Sequence, residues 1–336
     1  MSENFLVTGG CGFIGSHFAR MVLEKNPGAK VIVLDKLTYA GNLDNIKDLR
    51  SNKNFEFVKG DICDSKIVSR VVPKVDVIIN FAAESAVDRS IQSPDDFIKT
   101  DIFGAFTLLE AARKSDIKTF VQISTDEVYG EIIEGAFKEG DSLMPRSPYA
   151  ASKAGADRLA YSYFTTYGMR TIITRSCNNY GPFAFPEKML PLFVTNILEG
   201  KNIPVYGSGK NSREYVHVTD HCKAIELLIG KGRNGEAYNV GSGVEKTILE
   251  MADLIISELK ASRNVIAFVT DRPGHDKRYA VDTSKINSLG WKPVIDFEKG
   301  ARETIKWYVE HPEYWKPLKA KLEQFSKGFW GKEGKK

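Results

Sequence analysis

Two hydrophobic rhythms alternate along the first half of the chain. Short unbroken apolar runs occur at Phe5-Leu6-Val7, Val31-Ile32-Val33-Leu34, Phe55-Glu56-Phe57-Val58, Val75 to Phe81, Phe120 to Ser124 and Thr171 to Arg175. Between them, 12–25, 95–114 and 148–167 carry apolar residues at helical spacing. Ser93-Pro94 reads as a helix start, with serine as N-cap and proline at the first helical position, and Pro148 opens another helix. Short β-branched runs separated by helices predict a parallel sheet covered on both faces.

After Tyr180 the order loosens. Gly181-Pro182, 185–188 and 207–209 are turn-rich, and strand-like pieces return at 215–218 and 237–240. The pattern predicts an α/β fold, a Rossmann-like doubly wound parallel sheet with a smaller C-terminal substrate-binding region. The dinucleotide-binding part spans 1–180 with a returning portion near 214–241, and the interleaved substrate region spans 181–330. The Lys- and Gly-rich stretch 328–336 reads as a flexible tail.

Composition narrows the class. Hydrophobic residues are 42% and charged residues 27%, which suits a globular chain with a sizeable core. The net charge is +4, with Lys and Arg spread along the chain rather than clustered, so no nucleic-acid groove is implied. Cys11, Cys63, Cys177 and Cys222 are too far apart in sequence for a CxxC pair, so neither a zinc site nor a disulfide framework is supported. Reduced thiols point to the cytoplasm. No run reaches membrane-spanning length, and MSENFLVTGG lacks a positive n-region.

The first strand runs into Thr8-Gly9-Gly10-Cys11-Gly12-Phe13-Ile14-Gly15. Glycines at 9, 12 and 15 leave room for a tight turn, so that amides at the helix start can face a pyrophosphate. Asp35 follows about twenty residues on, at the end of the second strand, where an acid can bind ribose hydroxyls and repel a 2′-phosphate. NAD is therefore expected rather than NADP. Tyr149 and Lys153 lie four apart on one helix face. A nearby ammonium is expected to lower the tyrosine pKa, and a phenolate can take a proton from a sugar hydroxyl. At Ser124-Thr125-Asp126-Glu127-Val128-Tyr129-Gly130, two adjacent acids follow a central strand. The carboxyl end of such a strand is where open α/β sheets bind ligands.

The glycine turn, Asp35, the strand ending in Ser124 and the YxxxK pair together resemble the extended short-chain dehydrogenase/reductase family, which handles nucleotide sugars. Within it, Asp35 to Asn42, Ala82-Ala83-Glu84-Ser85, Asn178 to Pro182, Phe185-Pro186-Glu187-Lys188 and Asp271 to Asp276 look like the branch that dehydrates activated hexoses. The resemblance runs from about Asn4 to Leu318. It implies oxidation of dTDP-glucose at C4, loss of water across C5 and C6, and hydride return to C6. By the same resemblance Asp126 is the acid, Glu127 the base, Thr125 a hydrogen-bond partner of the 4-hydroxyl, Tyr149 the base for oxidation and Lys153 a holder of the nicotinamide ribose. Both acids are expected to face the sugar after a turn at Ser124, with repulsion keeping one protonated.

The cofactor would meet Gly9, Gly12, Phe13, Ile14, Gly15, Asp35, Lys36, Leu37 and Thr38, then Asp61, Ile62, Ala82, Ala83, Thr100, Tyr149, Lys153 and Asn179. The nucleotide sugar would meet Ser85, Thr125, Asn178, Lys188, Met189, Pro204, Tyr206, Arg213, Asn239, Arg272 and His275. Two positions depart from the family pattern: Ala86, where histidine is usual, and Tyr215, where tryptophan is common. Other readings on the same fold are a UDP-linked 4,6-dehydratase and a 4-epimerase or decarboxylase. A dinucleotide-sensing regulator is a reading of another class. The apolar positions Phe103, Phe106 and Tyr161 on the two long helices point to a homodimer, as related enzymes form.

Overall fold

The computed structural model describes residues 3–330, with side chains to 322. In chain order the first half comprises β1 (Phe5–Thr8), α1 (Phe13–Lys25), β2 (Val31–Asp35), β3 (Phe55–Lys59), α2 (Ser65–Val71), β4 (Val77–Asn80) and α3 (Val87–Gln92). Next come α4 (Pro94–Phe97), α5 (Ala105–Lys114), β5 (Thr119–Thr125), α6 (Pro148–Tyr167), β6 (Thr171–Ser176) and β7 (Asn178–Tyr180). The second half holds α7 (Met189–Leu198), β8 (Ile203–Tyr206), β9 (Ser212–His217), α8 (Val218–Lys231), β10 (Ala237–Val240) and β11 (Glu245–Thr247). It closes with α9 (Ile248–Glu258), β12 (Ile266–Val269), α10 (Ser284–Ser288), α11 (Phe297–Glu310) and α12 (Pro312–Trp330).

Seven strands form one parallel sheet in the order β10-β6-β5-β4-β1-β2-β3. All residues of β1, β2, β4, β5 and β6 are buried, as continuous apolar runs covered on both faces require. One face packs on α1 and α8 through Phe18, Val22, Ile225 and Leu228. The other packs on α2, α5 and α6 through Val68, Leu108, Ala112 and Tyr163. A separate core of α7, α9, α11 and α12 gathers Phe193, Met251, Ile255, Ile305, Tyr308 and Trp315.

The interleaving takes a definite form. β10 rejoins the main sheet beside β6 after the chain has built α7, β8 and β9 elsewhere. β9, by contrast, belongs to a three-stranded sheet ordered β11-β9-β7, and β8 pairs with β12.

Two expectations need correction. The helix expected over 95–114 is broken in character: between α4 and α5, Ile98–Gly104 winds as a π-helix. Ser93 occupies the N-cap position, yet its side chain accepts no bond from the helix. The wider π turn brings Asp101 and Gly104 into the interior. The Pro148 start holds, with Ser147 accepting from the Ala150 amide. Residues 328–330 close α12 rather than starting a tail, and 331–336 lie outside the described residues.

Candidate active site

The strand order reverses between β1 and β4, the switch point at which open parallel sheets bind ligands. A cleft of about 760 Å³ opens there, walled by residues of both the sheet and the C-terminal region.

On its sheet side the wall is mostly backbone. Gly9 takes φ +64°, and a Cβ there would stand 2.7 Å from the Ala82 nitrogen. A Cβ on Gly15 would stand 2.6 Å from the Gly9 carbonyl oxygen. Gly12 caps α1 with no side chain, and the first turn of α1 carries no acid. The amides at this helix start are thus left for an anion. Asp35 accepts from the Cys11 amide at 2.9 Å and the Leu37 amide at 2.7 Å. Burial raises its pKa while these two bonds pull it back. Lys36 and Asp61 form an ion pair at 2.8 Å at the rim. Phe13, Ile14, Thr38, Ile62, Ala82, Ala83 and Thr100 complete this side. Leu37 does not: at φ +58° it turns its side chain onto the core and gives only its amide, to Asp35.

At the floor, β5 continues to Thr125, one residue past the expected turn, and Asp126–Tyr129 then forms a 3-10 helix. Thr125 caps that helix, accepting from the Glu127 amide at 3.3 Å and donating to Asp126 Oδ1 at 3.0 Å. Its hydroxyl also bonds the Tyr149 phenol. The late turn splits the two acids: Glu127 and Thr125 line the cleft, whereas Asp126 is buried behind them. The expectation that both carboxyls face the cavity is therefore corrected for Asp126. Its Oδ2 has no hydrogen-bond partner, and burial followed by the Glu127 charge pushes its pKa well above the carboxylate range. Burial raises Glu127 as well, but Arg272, Arg213 and Lys188 oppose the rise.

Tyr149 and Lys153 sit on α6 in the wall. The expected electrostatics are reversed. Burial, then Glu127, Asp101 and Asp126, drive the phenol well above its ordinary value. The charges that act on Lys153 are Asp101 and Asp157, which oppose a burial-driven fall.

The far wall is made of side chains held by one another. Lys188 donates to the Ser85 carbonyl at 2.7 Å. Arg213 donates to the Ser212 and Asp276 carbonyls at 2.7 and 2.9 Å, and its guanidinium lies 4.4 Å over Tyr279. Arg272 pairs with Asp88 at 3.3 Å, and His275 with Asp271 at 2.6 Å. Alternation along β8 turns Pro204 and Tyr206 to the cleft while Ile203 and Val205 are buried. Asn178 and Met189 also line it. Asn179 lines it too, donating to Ser176 Oγ and the Cys177 carbonyl and bonding His221 Nδ1. Asn239 lies outside the cleft. Its amide is consumed by Tyr129, Phe137 and Asp282, so it stabilises the fold around β10.

Several cleft groups escape sequence reasoning. Arg89 stacks 3.6 Å over Tyr39 and pairs with Glu187 at 3.2 Å, bridging the two walls. Glu84, half-buried, is pushed up to about 7 by burial and by Asp101. The quoted Ala82-Ala83-Glu84-Ser85 segment was the available signal for Glu84; nothing local marks Arg89. Ala86 lines the cleft directly, and Tyr215 lines it from β9.

Among the described residues no cluster of His, Cys, Asp or Glu could hold a metal ion, and no helix is long and apolar enough to cross a membrane. All four cysteines are unpaired.

The model of the GDP-mannose 4,6 dehydratase family matches residues 6–304. The chain is 48% identical over 320 residues to a dTDP-glucose 4,6-dehydratase of Streptomyces niveus, covering 94% of this chain and 95% of that one. It is also similar to the solved structure of DesIV, a dTDP-glucose 4,6-dehydratase from Streptomyces venezuelae with NAD and TYD bound. That match has a TM-score of 0.92 and 47% identity, and covers 94% of this chain and 99% of that one. A dTDP-glucose 4,6-dehydratase from Bacillus anthracis str. Ames in complex with NAD matches with a TM-score of 0.88 and 46% identity, covering 94% and 100%.

Proposed function

The chain belongs to the GDP-mannose 4,6 dehydratase family, and on that premise we propose that it catalyses NAD-dependent dehydration of dTDP-glucose to dTDP-4-keto-6-deoxyglucose. The glycine cradle, where side chains would clash with backbone, the uncapped start of α1 and Asp35 suit a dinucleotide's pyrophosphate and ribose. Bound there, NAD supplies the hydride acceptor for sugar C4 and the donor for C6.

The chain's own groups supply the proton chemistry. Thr125 bonds the 4-hydroxyl, and Tyr149 takes its proton as the C4–H bond breaks. The C4 ketone acidifies the C5 proton, which Glu127 removes. Asp126, whose pKa is pushed up by burial and then by the Glu127 charge, supplies its proton by way of the Thr125 hydroxyl, which bonds its Oδ1 at 3.0 Å; a proton thus reaches the C6 hydroxyl, and the C6–O bond breaks to release water. A proton returns to C5 as hydride reaches C6. Lys188, Arg213 and Arg272 hold the diphosphate, and they also hold Glu127 nearer its carboxylate form.

The observation that carries this reading is the unlike pair at the end of β5: one carboxyl in the cleft, its neighbour buried behind it with an unpartnered oxygen and a raised pKa. Elimination needs such a pair on adjacent carbons, and 4-epimerisation does not. The test is incubation with dTDP-glucose in heavy water, with UDP-glucose alongside. A dehydratase yields a 4-keto-6-deoxy sugar carrying deuterium at C5. An epimerase leaves C5 and C6 untouched, and a cofactor-sensing regulator makes no product.

The same reading takes the protein to be a homodimer of the cytoplasm. Phe103, Phe106 and Tyr161 are 50%, 41% and 41% exposed on neighbouring helices, and the four cysteines are unpaired. Sedimentation of a Phe103→Glu/Phe106→Glu variant as a monomer would support the first point, and an unchanged sedimentation coefficient would remove it.

A further inference from the structure

His221 stands near the start of α8 and is completely buried, yet it lines the cleft. Its Nδ1 lies 2.9 Å from Asn179 Oδ1, and its Nε2 has no hydrogen-bond partner in the protein. The neighbours fix the tautomer. Asn179 Nδ2 faces the Cys177 carbonyl at 3.0 Å and Ser176 Oγ at 2.9 Å, and the Ser176 hydroxyl hydrogen goes to that same carbonyl. A carbonyl can only accept, so the Asn179 atom facing it must be the amide nitrogen. Asn179 Oδ1 is then the atom against the ring, and His221 Nδ1 must carry the hydrogen between them. Burial drives the imidazole pKa down to about 3, so the ring stays neutral and Nε2 keeps a bare lone pair.

A buried acceptor without a donor is costly, and such groups are found paired with a ligand or an ordered water. The place of His221 in the fold favours a ligand. Its neighbour Cys222 brings Sγ to 3.8 Å from the Ile14 carbonyl, so α8 meets α1 at the glycine cradle. Asn179 follows β6 in β7, and β6 lies beside β5, whose end carries Thr125 and Glu127. A dinucleotide with its pyrophosphate at the start of α1 and one ribose on Asp35 sends its other half across the switch point, over the ends of β4, β5 and β6. That half carries the nicotinamide, whose carboxamide offers N–H donors.

We propose that His221 is a cofactor-binding residue: its Nε2 accepts an N–H of the nicotinamide carboxamide, while its Nδ1–H holds Asn179 in place beside it. The inference rests on the cleft being the NAD site. It makes His221 selective. A ring substituent that lacks an N–H would leave Nε2 unpaired, so the residue discriminates by the chemistry of that substituent rather than by its size.

The probe is the acetylpyridine analogue of NAD, in which a methyl group replaces the amide nitrogen. Binding of NAD and of the analogue to the full chain, freed of cofactor, is measured by calorimetry and needs no turnover. Wild type should bind NAD about tenfold more tightly than the analogue. His221→Phe keeps a ring and removes both nitrogens, and the preference should vanish. His221→Asn keeps a donor for Asn179 at the Nδ1 position and removes only the Nε2 acceptor. The preference should vanish there too, which separates the acceptor from the structural bond to Asn179. No preference in wild type, or a preference that survives in either variant, overturns the proposal and leaves water as the donor to Nε2. Should both variants fail to fold, nitrogen NMR of wild type carrying isotope-labelled histidine decides: the Nε2 resonance should move upfield with NAD and not with the analogue, and an equal response to both overturns the proposal. Failure of wild type to bind NAD at all would overturn the cofactor reading as well, whereas binding without discrimination overturns this inference alone.

Discussion

The two walls of the cleft are built on different principles. The cofactor wall is backbone: glycines at 9, 12 and 15, the open start of α1, and an aspartate fixed by two amides. Its phosphate turn and aspartate lie within the first 35 residues and depend on chain geometry more than on side chains reaching across space. The nucleotide-sugar wall is side chains alone: Lys188, Arg213, Arg272 and His275 are drawn from positions up to 87 residues apart (275 − 188) and steadied by Ser85, Asp276, Asp88 and Asp271. The first wall is rigid by construction. The second is charged, paired and replaceable, so damage to it should be graded rather than total.

The catalytic floor joins the two walls, and the largest effect is expected there. Glu127→Gln should still oxidise C4, seen as cofactor reduction on mixing, yet lose deuterium entry at C5, with turnover down at least about a hundredfold. Retained C5 exchange would remove Glu127 as the base. Tyr149→Phe should fail one step earlier, with no cofactor reduction at all; reduction at the wild-type rate would reassign the base for oxidation.

On the cofactor wall, Gly15→Ala forces a methyl to 2.6 Å from a backbone oxygen that cannot yield. Loss of bound NAD is expected, together with about 1–3 kcal/mol of stability. Purified protein with full cofactor content would show that the cradle is softer than its geometry indicates. On the opposite wall, Arg272→Ala should raise KM for the nucleotide sugar about tenfold and change kcat less, since Lys188 and Arg213 remain. A collapse of kcat at unchanged KM would place Arg272 in the chemistry.

The smallest effect is on stability. Glu84 is pushed up to about 7, above its ordinary value, so the folded state holds a proton that the unfolded chain releases. Its stabilising contribution is present at low pH and lost as pH rises through about 7. Glu84→Gln should therefore raise Tm at pH 8.5 and leave it unchanged at pH 5. A gain of equal size at both would mean that burial of the charge is not the cause.

The same contrast explains what could be read from the sequence. The glycine turn, Asp35 and the Tyr149–Lys153 pair each lie in one short segment, where local spacing fixes geometry. Leu37 was misplaced because its positive φ turns the side chain away from where the sequence order puts it. Asp126 was misplaced because strand and turn exchange one residue: β5 runs through Thr125, and that shift decides which acid meets the cavity. The π turn at 98–104 was invisible, since its apolar positions fit an ordinary helix and only tertiary packing pulls Asp101 inward. Asn239 matched a family position, but its amide is spent on three partners brought from 129, 137 and 282. The tyrosine pKa was inferred from one neighbour when burial and three carboxylates outweigh it.

The placement of β10 carries a further consequence for how the molecule is made. It seals the open edge of β6, yet it is translated after residues 181–236, which largely build another part of the protein. A nascent chain ending at 180 would display the outer edge of β6 with its amides and carbonyls unpaired, a template for intermolecular pairing. Splitting the gene at the apparent domain boundary should thus give insoluble material from the N-terminal piece.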